Sequence, residues 1–194
     1  MLHLSEIASF TNEIKKSRFI ATCAPVQSVE EAELYIKNWH QADARHNCWA
    51  YRIGEQYRFF DDGEPGGSAG RPILAAIDGM GFDAVVAHVV RYFGGIKLGV
   101  GGLVRAYGNT VKQALQNAES HEFIPMQELA FRVDFADTYA VYGIINASSA
   151  QKLRESYVAE GVEFYINVKE DELENYRDTL SNATQGRVYW LGQN

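Results

Sequence analysis

Cysteine is scarce in this chain: Cys23 and Cys48 are the only two among 194 residues. Two thiols cannot complete a zinc site alone, and without a secretory leader they read as free thiols in a reducing compartment. The opening MLHLSEIASF has no basic segment ahead of a long apolar one, so it does not read as a secretory signal. No apolar run reaches the roughly 18 residues of a membrane helix. The sequence also lacks internal repeats and low-complexity tracts. The expectation is a cytoplasmic protein with no membrane contact. Hydrophobic residues make up 46% and charged residues 22%, a globular composition, in a chain long enough for one large or two small domains.

The most informative absence is of acid. A net charge of −7 argues against coating nucleic acid over the whole surface. Yet no Asp or Glu occurs from Ala84 to Ala118, where Arg91, Lys97, Arg105 and Lys112 fall. That window carries +4 and the remainder −11, so the basic segment reads as a local patch for an anion.

Periodicity places the elements. Ser17–Val26 reads as a strand. Ser28–Gln41 reads as a helix, with a capping-box pair at Ser28 and Glu31 and an apolar stripe through Ala32, Tyr35, Ile36 and Trp39. Asn47–Ile53 and Tyr57–Phe60 read as paired strands around Gly54. Asp61–Gly70 has turn chemistry throughout, and Pro72 sits where a helix could begin. Ala84–Phe93 reads as a buried strand and Leu103–Ala118 as a helix, with a glycine loop between them. After Pro125 the order becomes β-α-β-β-α-β, the ferredoxin-like arrangement, in a segment with six basic and eleven acidic residues. The strands are Leu129–Phe135, Lys152–Ala159, Val162–Val168 and Arg187–Leu191, and the helices Thr138–Ser149 and Glu170–Asn182. The fold class expected is α+β in two domains, residues 1–125 and 126–194.

Two stretches carry chemistry. In YFGGIKLGVGG, a strand, a glycine-rich turn and a helix follow one another, which places backbone N–H groups and the positive helix dipole where an anion can dock. Gly94, Gly95, Gly99, Gly101 and Gly102 would allow close approach, with Lys97, Arg105 and Arg91 supplying charge. The stretch is not a Walker loop, and it lacks the third glycine of the dinucleotide fingerprint. The plainer alternative is tight strand–helix packing. In DDGEPGGSAGRP, Asp61, Asp62 and Glu64 could hold Mg²⁺ as a metal site, or merely bond local amides. Ser68 has glycines two positions to either side, but no strand leads into it, so it is not a nucleophile elbow. His46 and Cys48 share a strand face, which allows a Cys–His pair, though a small buried thiol is the commoner outcome. Arg91 lies on an apolar strand face and needs a carboxylate or an anion; Asp61, Asp62 and Glu64 are the candidates. If those carboxylates pair with Arg91 and Arg71, the two glycine loops are neighbours.

KSRFIA (16–21), ARHNCWAYRIG (44–54), DDGEPGGSAGRPIL (61–74) and VVRYFGGIKLGVGGLVRAYG (89–108) resemble the signature blocks of the IMPACT family, in its bacterial YigZ-type branch. Ser68 stands where that family commonly has threonine. The resemblance implies an N-terminal domain like ribosomal protein S5 domain 2 and RNase PH, and a ferredoxin-like C-terminal domain. That pairing is similar to consecutive domains of ribosomal translocation factors. It also implies a shared cleft from Arg45–Tyr51, Asp61–Arg71 and Arg91–Arg105, taking in His46, Tyr51, Asp61, Asp62, Glu64, Ser68 and Arg71.

The function expected is a translation-associated regulatory protein that binds RNA or a nucleotide phosphate, with the ribosome or translation machinery as partner. No cofactor is expected, Mg²⁺ at the acidic turn being the minor alternative. The alternatives are a metal-assisted phosphoesterase or nucleotide hydrolase, and a protein-interaction scaffold.

Overall fold

The computed structural model describes residues 1–192, which divide into two units at Phe123 and Ile124. The first unit holds β1 (Leu2–Leu4), β2 (Ala8–Ile14), β3 (Ser17–Pro25), α1 (Val29–Trp39), β4 (His46–Ile53), β5 (Gln56–Phe60), α2 (Gly70–Gly79), β6 (Val85–Tyr92), α3 (Val100–Gln116) and β7 (Ser120–Glu122). Five of its strands form an antiparallel sheet in the order β2-β3-β6-β4-β5. β1 and β7 form a separate antiparallel ribbon.

The continuous apolar run of β6 puts it at the centre of the sheet, where both faces are covered. Alternation along the strands then sorts side chains between two layers. Phe19, Ala21, Cys23, Cys48, Ala50, Val85, Ala87 and Val89 meet Ile73 and Ile77 of α2 and Leu103, Tyr107 and Val111 of α3. On the other face Ala24, Val26, Tyr51 and Val86 meet Ala32 of α1. Complete burial of Phe19, Ile73 or Ile77 contributes about 2–3 kcal/mol each.

The second unit holds β8 (Met126–Val133), α4 (Thr138–Ala147), β9 (Gln151–Val158), β10 (Gly161–Lys169), α5 (Leu173–Ala183) and β11 (Tyr189–Leu191). Its sheet runs β11-β8-β10-β9, antiparallel throughout. Phe131, Val133, Phe164 and Ile166 pack on Val141, Tyr176 and Leu180 of the helices. Element order and strand order together make this unit ferredoxin-like, and the chain α+β.

Three departures from the sequence reading bear on the site or its frame. α3 begins at Val100 rather than Leu103, because Gly99, at φ +74°, turns the chain into the helix early. Gly101 and Gly102 are thus helical residues of the first turn. α2 begins at Gly70, ahead of Pro72. Phe135 leaves the β8 alternation for a 3-10 turn and is exposed.

Candidate anion-binding cleft

The acidic turn is organised by its own carboxylates. Asp61 Oδ2 accepts from Gly67 N–H at 2.8 Å, and Oδ1 from Ala69 and Gly70 N–H at 3.0 and 2.8 Å. These donors lie at the start of α2, whose N-cap Ala69 offers no side-chain acceptor, so Asp61 caps the helix from a distance. Asp62 Oδ2 accepts from Asn47 N–H at 2.6 Å, and the Asp62 carbonyl accepts from His46 Nδ1 at 2.7 Å.

Glu64 takes a different place. It is buried, and its Oε1 accepts from Arg91 Nη1 at 2.6 Å and from the Tyr107 hydroxyl at 2.7 Å. His46 Nε2 stands 3.8 Å from the same oxygen. Burial raises the Tyr107 hydroxyl well above its ordinary pKa, so it remains a donor. Cys48 donates its thiol to the Asp61 carbonyl at 3.1 Å, and burial pushes that thiol up to about 12. A thiol held neutral so far above physiological pH is no nucleophile, so the Cys–His reading gives way to a core cysteine.

Above this cluster opens a cleft of about 420 Å³, lined by Arg45, His46, Glu64, Arg91, Phe93, Lys97 and the start of α3 among others. Leu103 N–H is the first to close onto α3, donating to Gly99 C=O at 2.9 Å. Ahead of it, the N–H groups of Val100, Gly101 and Gly102 have no acceptor among the described residues. Lys97 has no ion pair there either. Arg91 and Glu64 cancel each other, so Lys97 and Arg45 give the cleft its positive charge. Arg45 and Arg91 each place a guanidinium within 6 Å of the Phe93 ring centroid, at 5.9 and 5.6 Å.

The glycines have separate jobs. A Cβ on Gly94 would overlap the Lys16 backbone, and its N–H donates to Ser17 Oγ at 3.1 Å. Gly95 and Gly99 have left-handed φ. Gly101 has neither constraint: space around it is open and its φ is ordinary.

The structure brings His46, Glu64, Arg91, Lys97 and Gly99 to the cleft, with Gly101 and Gly102 following in α3. Gly94 and Gly95 shape the loop instead. Arg105 is exposed further along α3 and does not line the cleft. The other expected cleft residues lie elsewhere. Tyr51 points to the opposite face of the sheet, against the α1 layer, because strand alternation separates it from His46 by an odd number of residues. Ser68 is fully buried with no partner for its Oγ, Arg71 is exposed, and Asp61 and Asp62 are turned to backbone amides. Asp61, Asp62 and Glu64, the residues weighed as Mg²⁺ ligands, serve three different groups of donors, and no metal-binding cluster of His, Cys, Asp or Glu occurs among the described residues. Phe93, Leu98 and Val100 also line the cleft; they fall inside the expected segment Arg91–Arg105 but were not singled out within it, and Phe93, two residues after Arg91, carried the one readable signal among them.

Comparison with known proteins bears on the same segment. The model of the Impact N-terminal domain matches residues 15–115. A Thermus thermophilus protein described as an IMPACT family member in the pol 5′ region is 45% identical over 180 residues, covering 92% of this chain and 99% of its own. IMPACT family member YigZ of Escherichia coli K12 is 38% identical over 154 residues, 76% of each chain. A crystal structure described only as that of a hypothetical protein aligns at TM-score 0.65 and 32% identity, covering 100% of this chain and 97% of the other. A longer protein, also of Thermus thermophilus, shares the fold at TM-score 0.53 and 10% identity, over 97% of this chain and 28% of its own.

Proposed function

The chain belongs to the IMPACT family, and on that footing we propose that its N-terminal unit binds a phosphate-bearing ligand, RNA or a nucleotide, in the cleft at the start of α3. The observation that carries this reading is the trio of unpartnered amides at Val100, Gly101 and Gly102, set beside the unpaired Lys97. A helix N-terminus favours an anion by about 0.3–1 kcal/mol through its dipole, and each charge-assisted hydrogen bond adds about 1.5–3 kcal/mol. Buried Arg91 supports the reading independently, because only its Nη1 is used by Glu64. The setting is translation, as the resemblance to translocation-factor domains implies.

Binding of a single-stranded RNA pool, measured by fluorescence anisotropy across a salt series, tests the proposal. Lys97→Ala with Arg45→Ala should weaken binding at least tenfold and flatten the log–log salt slope by about 1.4, roughly 0.7 per lost phosphate contact. An unchanged affinity and slope would contradict it.

A further inference from the structure

The cleft contains more than an anion site needs. A phosphate offers oxygen acceptors and calls for donors, yet two acceptors also face this cavity. His46 donates its Nδ1–H to the Asp62 carbonyl at 2.7 Å, so in the neutral ring the lone pair sits on Nε2. Nε2 has no hydrogen-bond partner in the protein and is not sealed from solvent. Glu64 is 8% exposed, with Oε1 occupied by Arg91 and Tyr107. Its second oxygen receives no donor among the described residues and is likewise not sealed.

Two acceptors beside a phosphate repel it unless the same ligand brings a donor to them. Hydrogen-bond acceptance by a buried carboxylate and an oriented imidazole is the chemistry that selects a hydroxyl. In a nucleic acid the hydroxyl nearest a phosphate is that of the ribose, and it is what distinguishes RNA from DNA at a given site. A cavity of about 420 Å³ lies in the range of small-ligand pockets and holds one nucleotide residue.

Resting on the phosphate reading above, we infer that His46 Nε2, backed by the free oxygen of Glu64, accepts the 2′-hydroxyl of the nucleotide whose phosphate docks on α3, so that the cleft selects ribonucleotides over deoxyribonucleotides. His46 is here a specificity-determining residue and Glu64 its neighbour in that contact.

The test compares mixed-sequence single-stranded RNA with the same pool carrying 2′-fluoro or 2′-deoxy sugars, on the full chain. The 2′-fluoro sugar keeps the RNA pucker but has no O–H to donate. The wild-type protein should bind both substituted pools about tenfold more weakly than RNA. His46→Phe should bring the three pools to within about twofold of one another, and His46→Gln, which returns an amide oxygen near Nε2, should restore part of the preference. Thermal melts establish that both variants are folded, and the substituted pools test the wild-type chain without any variant. Equal binding of all three pools by the wild type overturns this inference and leaves the phosphate reading standing. Binding of none overturns both.

Discussion

His88 shows at the level of one residue how burial sets pH behaviour. It lies in β6, on the sheet face that meets α1, and its Nε2 is buried without a partner. Desolvation drives its pKa from 6.5 down to about 4. Between those values the unfolded chain takes up a proton that the folded chain refuses, so stability falls as pH drops through this window. The loss is about 1.4 kcal/mol per unit and about 3 kcal/mol in all. His88→Leu should remove that dependence while leaving other acid-sensitive pairs in place, as urea denaturation at pH 7, 5 and 4 would reveal; parallel curves for variant and wild type would refute it. The two cysteines give the mirror case. Burial pushes Cys23 and Cys48 both up to about 12, so each folded-state thiol stays protonated where an unfolded one ionises. Stability should decline above about pH 9, and a thiol reagent at pH 8 should label neither residue until denaturant is added. Rapid labelling of the native chain would contradict this. Arg91 with Glu64 is a third residue-scale case. Arg91→Met leaves a buried carboxylate uncompensated and should cost about 3–5 kcal/mol in urea denaturation, while adding Glu64→Gln should recover much of it.

The glycine loop and α3 separate what packing demands from what a ligand would demand. Gly94→Ala should destabilise the protein severely, because its Cβ would meet backbone that cannot withdraw. Gly101→Ala should do the reverse: alanine is the better helix former by about 1 kcal/mol and meets nothing. The same substitution should weaken RNA binding if a phosphate approaches that amide closely, so melting temperature and affinity should move in opposite senses. A stabilised variant with full affinity would show that the ligand does not approach there. This pairing also marks how much of the site was legible in the sequence. The loop, its charge and the need of Arg91 for a partner followed from composition and alternation. The partner was not legible, because Asp61, Asp62 and Glu64 are equivalent as letters and only the fold assigns two of them to amides. Tyr51 was misplaced for a related reason: a block of sequence likeness spans both faces of a strand.

At the scale of the whole chain, α+β architecture and a ferredoxin-like second unit were readable because helices and strands there alternate with clear periods. Strands β1, β2 and β7 were not readable. Their residues are mostly half-buried or exposed; β1 and β7 become strands only by pairing with each other across the unit, and β2 by the hairpin it makes with β3. Each unit has its own apolar core, and every lining residue of the cleft falls between Arg45 and Leu103. Residues 1–123 should therefore fold cooperatively alone, judged by circular dichroism on heating, and should retain the RNA affinity of the full chain. Loss of binding with the fold intact would move the site to the acidic second unit.

The most direct measurement is a ¹⁵N–¹H titration of the full chain with single-stranded RNA, following backbone amides one by one. The amides of Val100, Gly101 and Gly102 should shift most, together with that of Lys97, and high salt should reverse the change. Shifts confined to the second unit, or an α3 N-terminus unmoved at saturation, would contradict the account.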